Sequence, residues 1–210
     1  MTNFAQSWRT GQAGEQAIAR WLRGKGWTVL PVYEKVVDNK EGPRLFLPDG
    51  KLIAPDLLAF KQDATRAMWV EAKYKTAFTW HRATQRFTTG IDIRCYEHYL
   101  QVQAVTPWDV WLCFLHTGGQ AKDSPPSPDG LYGNAISYLC AHENHRWLPS
   151  NGNYSISDGY GSNGMVYWAI DHLRRLADVP AYINSSVSQR TTADLVAAQA
   201  TPTDAELWDE

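Results

Sequence analysis

Two apolar stretches of this chain, Leu52 to Phe60 and Met68 to Tyr74, each carry charge in the middle of what otherwise reads as buried strand. The first holds Pro55-Asp56, and the second holds Glu71-Ala72-Lys73, fifteen positions further on. A charge inside an apolar strand is costly unless it finds a partner, so a fold built on these runs must bring the charges together. Residues two apart in a strand point to one face, which sends Glu71 and Lys73 out side by side. If the two runs pair as neighbours, Asp56 lies beside them. Two carboxylates and one ammonium at the edge of a core offer hard oxygen ligands for Mg²⁺ or Mn²⁺. They also supply a cation that can orient a water or stabilise charge on a phosphate.

The placement of these residues says more than the pattern itself. Pro-Asp followed by an acid-x-Lys arises by chance in about one chain of this length in ten at average residue usage. Pro-Asp occurs three times here, but Pro48-Asp49-Gly50 and Pro128-Asp129-Gly130 read as turns. Asp38-Asn39-Lys40 is a second acid-x-Lys, set in a polar loop. A third acid joins the pair. Gly11 to Lys25 has helical periodicity with Ile18, Ala19 and Leu22 on one stripe, and Glu15 shares that face. An acid in a first helical turn is also favoured by the helix dipole alone; the other carboxylates turn the reading toward a role at the metal.

Gly14-Glu15, the helix running to Gly26-Trp27, a following strand, Pro55-Asp56 and Val70-Glu71-Ala72-Lys73 together resemble the PD-(D/E)xK nuclease superfamily, over residues 11 to 116. Within it, Trp21-Leu22-Arg23-Gly24-Lys25-Gly26-Trp27 looks most like archaeal-type Holliday-junction resolvases. Glu34 to Leu47 lacks the serine-bearing loop of those resolvases, and the C-terminal extension is longer than theirs. The resemblance implies an α/β fold with a restriction-endonuclease-like core, a central mixed sheet of about five strands flanked by helices. It further implies metal ligation by Asp56, Glu71 and the backbone carbonyl of Ala72, with Glu15 binding directly or through water. Lys73 would assist the attacking water. The expected activity is Mg²⁺- or Mn²⁺-dependent hydrolysis of DNA phosphodiesters by an endonuclease, with junction resolution as one option and junction, flap, duplex, single strand and RNA all open as substrates. A non-catalytic DNA-binding or scaffolding module on the same fold, and a metal-dependent hydrolase of small phosphoesters, are the alternatives.

The net charge of −2 does not advertise nucleic-acid binding, but its distribution does. The last twenty residues hold five acids and no base, leaving 20 basic against 17 acidic residues elsewhere. From Lys61 to Arg94, seven basic residues face three acids. Lys75, Arg82, Arg86 and Arg94 are the candidates for contact with a phosphate backbone. A solvated surface is the ordinary reading of such scattered charge, and their position around the Glu71 strand favours DNA.

Further along, a strand is expected near Trp27 to Tyr33, a short one at Arg44 to Leu47, and a polar, substrate-facing loop at Thr76 to Thr89. A helix from Ile91 to Val105 would carry Ile91, Cys95 and Val102 on its apolar seam. Tyr99 and Gln103 lie beside that seam, on the surface or reaching the site as supporting residues. Trp108 to His116 reads as a buried strand, Gly118 to Gly130 as a loop, Leu131 to Ala141 as helical and Met165 to Ile170 as a strand. Asp171 is expected to cap a helix running through Ala177. The expected division is a nuclease core at 1–116, an extension packed on it at 117–184 and a flexible acidic tail at 185–210. Cys140, His142 and His145 match no established structural-zinc spacing. No apolar run is long enough for a membrane span, and the polar N-terminus and three scattered cysteines fit a reduced cytoplasmic protein. Symmetrical double cuts would require a homodimer, which no segment specifies.

Overall fold

The computed structural model describes residues 4–32, 43–62, 65–121, 124–148 and 164–180. The first helix, α1 (Phe4–Gly24), begins earlier than the apolar stripe alone indicates. Ala17, Ile18 and Leu22 form its buried stripe. The helix ends where Gly26 takes a positive φ of 75°. The Gly26 N–H then donates to Arg23 O and the Trp27 N–H to Leu22 O, a paired closure that satisfies the last carbonyls. Lys61 adds two more bonds, from Nζ to the carbonyls of Lys25 and Gly26, and lies over the Trp27 ring.

The chain continues through β1 (Thr28–Pro31), β2 (Arg44–Leu47), β3 (Gly50–Ile53), β4 (Leu57–Phe60), β5 (Ala67–Lys75), β6 (Thr79–His81) and β7 (Arg86–Asp92). Then come α2 (Ile93–Val105), β8 (Asp109–Thr117), β9 (Asp129–Ala135), the short α3 (Ile136–Leu139), β10 (His145–Trp147) and β11 (Met165–Ala169). A 3-10 turn, Ile170–His172, leads into β12 (Arg174–Ala177). The main sheet has six strands in the order β1-β4-β5-β8-β9-β12, one more than expected. It is mixed, because β5 and β8 run parallel while the other pairs are antiparallel. A second sheet has the order β10-β11-β7-β6, and β2-β3 is a separate hairpin.

The main sheet is buried on both faces. Val70, Ala72, Cys113 and Leu115 pack against Ala17, Ile18 and Leu22 of α1. Trp69, Leu112 and Phe114 face the other way, toward Tyr96, Tyr99 and Val102 of α2 and toward Ile91, Val166 and Trp168 of the second sheet. This two-sided burial explains why β5 and β8 read as continuous apolar runs. None of the helices among the described residues is long and apolar enough to cross a membrane.

Several expected elements are corrected. Thr76 to Thr89 is not an open loop: β6 and β7 form a hairpin, and Gln85 takes a positive φ of 51° in its turn. Leu131 to Ala141 is not one helix: its first five residues are strand, because pairing with β8 outweighs local helical preference, and only Ile136–Leu139 is helical. Asp129 and Gly130 open that strand rather than forming a turn. The segment after Asp171 is β12, drawn into register with β9. Ile91 belongs to β7, and the buried residues of α2 are Ile93, Tyr96, Tyr99 and Val102. Asp38 to Lys40, residues 154–163 and the tail at 185–210 lie outside the described residues. β9 and β12, both beyond residue 116, extend the same sheet as β5 and β8.

Candidate active site

The pairing of β4 with β5 stops at Leu57 opposite Val70, although β5 continues to Lys75 against β8. Beyond Val70, the β4-side edge of β5 therefore has no strand partner among the described residues. Asp56, the residue before β4, fills the first vacant position: its Oδ2 accepts the Ala72 N–H at 3.0 Å. A paired strand residue exchanges both its N–H and its C=O with the same neighbour. The Ala72 carbonyl accordingly faces the edge that Asp56 occupies. The Asp56 main chain is held in turn by Val32, whose N–H donates to Asp56 O at 2.8 Å.

Glu71 points to the α2 face and is 1 % exposed. Its Oε2 accepts from the Tyr99 hydroxyl at 2.6 Å. Its Oε1 is paired with the Lys73 ammonium, and the Lys73 side chain is 35 % exposed. Burial, and then the charge of Asp56, push the Glu71 carboxyl up to about 7 despite Lys73. Burial opposes charge on Lys73, but Glu71 and Asp56 outweigh it and hold the ammonium above its ordinary value.

Glu15 reaches the same place from the opposite face of the sheet. α1 crosses β5 at Gly14, where an added Cβ would come within 2.7 Å of the Tyr74 Cβ, so glycine permits the close approach. Burial first, and then Asp56, push Glu15 up to about 7, with Lys73 opposing. Glu15, Asp56 and Glu71 thus crowd negative charge around one ammonium. Burial and the mutual repulsion of these acids hold protons on two of the carboxyls up to near neutrality.

Among the described residues, no three His, Cys, Asp or Glu side chains gather in a way that would hold a metal ion. The donor set that the strands do assemble is the Asp56 and Glu71 carboxylates with the Ala72 carbonyl. These are hard oxygens, few in number, and they suit an ion that keeps several waters. The crowding of acids is what a divalent cation would relieve, so the residues fit Mg²⁺ or Mn²⁺.

The other expected residues lie at several places in the fold. Tyr99 is buried and bonded to Glu71, not on the surface. Gln103 stands apart from the site: its Oε1 accepts from Val110 N and its Nε2 donates to Asp109, tying the end of α2 to β8. Lys75 lies on β5, on the same face as Glu71 and Lys73. Arg82 and Arg86 are exposed on the β6–β7 hairpin, with Arg86 3.5 Å from Asp171, and Arg94 is exposed in the first turn of α2. Cys140, His142 and His145 do not converge. Cys140 Sγ bonds Ser137 O, His142 stacks on Tyr138, and His145 stacks between His81 and Tyr167. Cys95 is a neighbour that sequence reasoning assigned only to packing. Its thiol is pushed up to about 11 by burial and then by the Glu71 charge.

No family model matches the chain, and comparison with curated proteins gives no match. Among solved structures, it is similar to Hjc, a Holliday junction resolvase from the archaeal hyperthermophile Archaeoglobus fulgidus. That likeness has a TM-score of 0.39 at 9 % identity and covers 61 % of this chain and 78 % of the other.

Proposed function

We propose that this chain is a Mg²⁺- or Mn²⁺-dependent endonuclease that hydrolyses DNA phosphodiesters and favours branched substrates such as junctions. The observation that supports it is the assembly of Asp56, Glu71, Lys73 and the Ala72 carbonyl at the point where β4 leaves the edge of β5. A divalent ion held by those three oxygen groups, with Glu15 contributing directly or through water, would activate water and neutralise charge on the phosphate.

The remaining roles belong to the chain's own side chains. Tyr99 fixes Glu71 Oε2, so that Oε1 stays turned toward Lys73. Lys73, beside Glu71, would place positive charge where the attacking water loses a proton and the phosphate gains charge. Glu15, with its carboxyl near neutrality, can hold or accept a proton at the rim of the site. Arg82, Arg86 and Arg94 would contact the flanking backbone, where they set affinity and salt dependence more than chemistry.

The test is a side-by-side assay of junction, flap, duplex and single-stranded DNA and of RNA, with Mg²⁺ and Mn²⁺. Wild type should cut DNA and prefer the branched forms, and Asp56→Asn should lose both cleavage and Mn²⁺ binding. Absence of cleavage on every nucleic acid would overturn the reading, and turnover of small phosphoesters alone would transfer the site to the alternative hydrolase.

A further inference from the structure

β5 carries a second lysine beyond the group just described. Glu71, Lys73 and Lys75 occupy alternate positions on one face of the strand, spaced about 7 Å apart along it. Lys73 has Glu71 as its partner. Lys75 is half-buried, and among the described residues its ammonium makes no hydrogen bond or ion pair, Glu71 acting on it only as a more distant opposite charge. Its register neighbour on β8 is His116, which is fully buried, stacked on Phe78 and bonded through Nε2 to Thr89 Oγ1. Burial and the Lys75 charge keep that imidazole neutral, pushed down to about 3. His116 therefore offers no negative charge to its neighbour.

A cation removed from water beside another cation costs free energy until an anion joins it. Burial and then Lys73 push the Lys75 ammonium down to about 8, with Glu71 opposing. Other basic groups in the fold have found acceptors: Arg146 bonds Glu143, Arg175 bonds Asp178, and Lys61 bonds two carbonyls. Among the described residues Lys75 has none, one strand period from the ammonium assigned to the reacting phosphate.

We propose that Lys75 forms a phosphate subsite of the active face, holding the backbone phosphate next to the one under attack. The ligand class is a phosphodiester monoanion, and its assignment to DNA rests on the nuclease reading. The subsite sets the register of the strand along β5, so that the scissile phosphate comes to Lys73 and its neighbour comes to Lys75. It differs from Arg82 and Arg86, which are exposed on the β6–β7 hairpin, Arg86 lying 3.5 Å from Asp171.

Two measurements test it. In the first, inorganic phosphate is titrated into the full chain without metal while the lysine side-chain resonances are followed. Lys75 should respond, and Lys75→Met, which keeps the apolar stem, should remove that response; a silent Lys75 overturns the subsite. In the second, the phosphate on either side of the scissile one is replaced by neutral methylphosphonate. Wild type should lose about ten-fold in kcat/KM at one of the two positions, the size expected for one charge-assisted contact. Lys75→Met should show a similar loss on unmodified DNA and no further loss on the modified strand, while Lys75→Arg recovers most of the rate. An equal further loss in Lys75→Met would show that the phosphate is held elsewhere. If wild type cuts nothing but Lys75 responds to phosphate, the nuclease reading falls and the anion subsite stands. Lys75→Met should retain cooperative unfolding, since it removes an unpaired charge rather than a contact.

Discussion

Raising the pH of the metal-free protein from 4.5 to 8 should reduce its stability through Glu71, the reverse of the usual effect of a paired carboxylate. The folded chain holds the Glu71 proton up to about 7, against an ordinary value of 4.5. Between those values the unfolded carboxyl has released its proton and the folded one has not. The unfolded state then binds fewer protons, and stability falls as pH rises through the window, levelling off above about 7. A difference of about 2.5 pKa units corresponds to about 3 kcal/mol. Glu71 is 1 % exposed, so little of this is lost to solvent screening.

The wild-type curve alone would mislead. His116 is pushed down to about 3 from 6.5, so its contribution rises with pH over much of the same range. Glu15, also held to about 7, acts in the same direction as Glu71. The informative quantity is the difference between wild type and Glu71→Gln, in which these other groups cancel. Glutamine keeps the side-chain size and an acceptor for Tyr99. Measurement should stop at pH 8, where Lys75 begins to titrate. Urea unfolding in EDTA at several pH values, with equal m-values required, should show wild type losing about 3 kcal/mol relative to the variant. A difference that stays flat would show that burial does not dominate Glu71. One that slopes the other way would mean that the Lys73 pairing outweighs both burial and Asp56.

Lys73→Ala should reduce cleavage by about a hundred-fold or more, while Mn²⁺ binding measured by calorimetry stays close to wild type; equal rates would place the chemistry elsewhere. Tyr99→Phe removes the donor to Glu71 Oε2 and should cost about 1.5–3 kcal/mol at pH 8, where Glu71 is charged, and clearly less at pH 5. A loss of the same size at both pH values would make Tyr99 a packing residue only. Gly14→Ala should destabilise by about 1–3 kcal/mol in urea despite alanine's better helix propensity, because the new Cβ meets Tyr74 at 2.7 Å; a gain would mean that α1 can slide on β5. Arg82→Ala combined with Arg86→Ala should weaken DNA binding and flatten its dependence on log salt by about one to two, leaving the single-turnover rate at saturation nearly unchanged.

What could be read from the sequence follows from short-range geometry. The alternation of Glu71 and Lys73 is a property of any strand, and the stripe of Ile18 and Leu22 with Gly26 behind it specifies a helix and its end. These features single out Glu15, Asp56, Glu71 and Lys73 as charges that the fold has to accommodate, because a charge in an apolar run needs a partner wherever the run goes. The partners themselves were not legible. That Tyr99 closes on Glu71 depends on where α2 crosses the sheet, and its pattern on the helix fits burial and exposure equally well. The same limit explains why β9 looked helical and β12 looked like a capped helix. Their strand state comes from hydrogen bonds to β8 and to each other, between residues as much as 46 positions apart, as where Arg175 also reaches Asp129 O. The sequence by itself determined which charged side chains sit inside apolar elements and which local elements hold them. Only the tertiary structure decided how far β4 follows β5, and hence where the vacant edge lies that Asp56 and the Ala72 carbonyl share. That choice is made by long-range strand pairing and two-sided burial, which local periodicity does not encode.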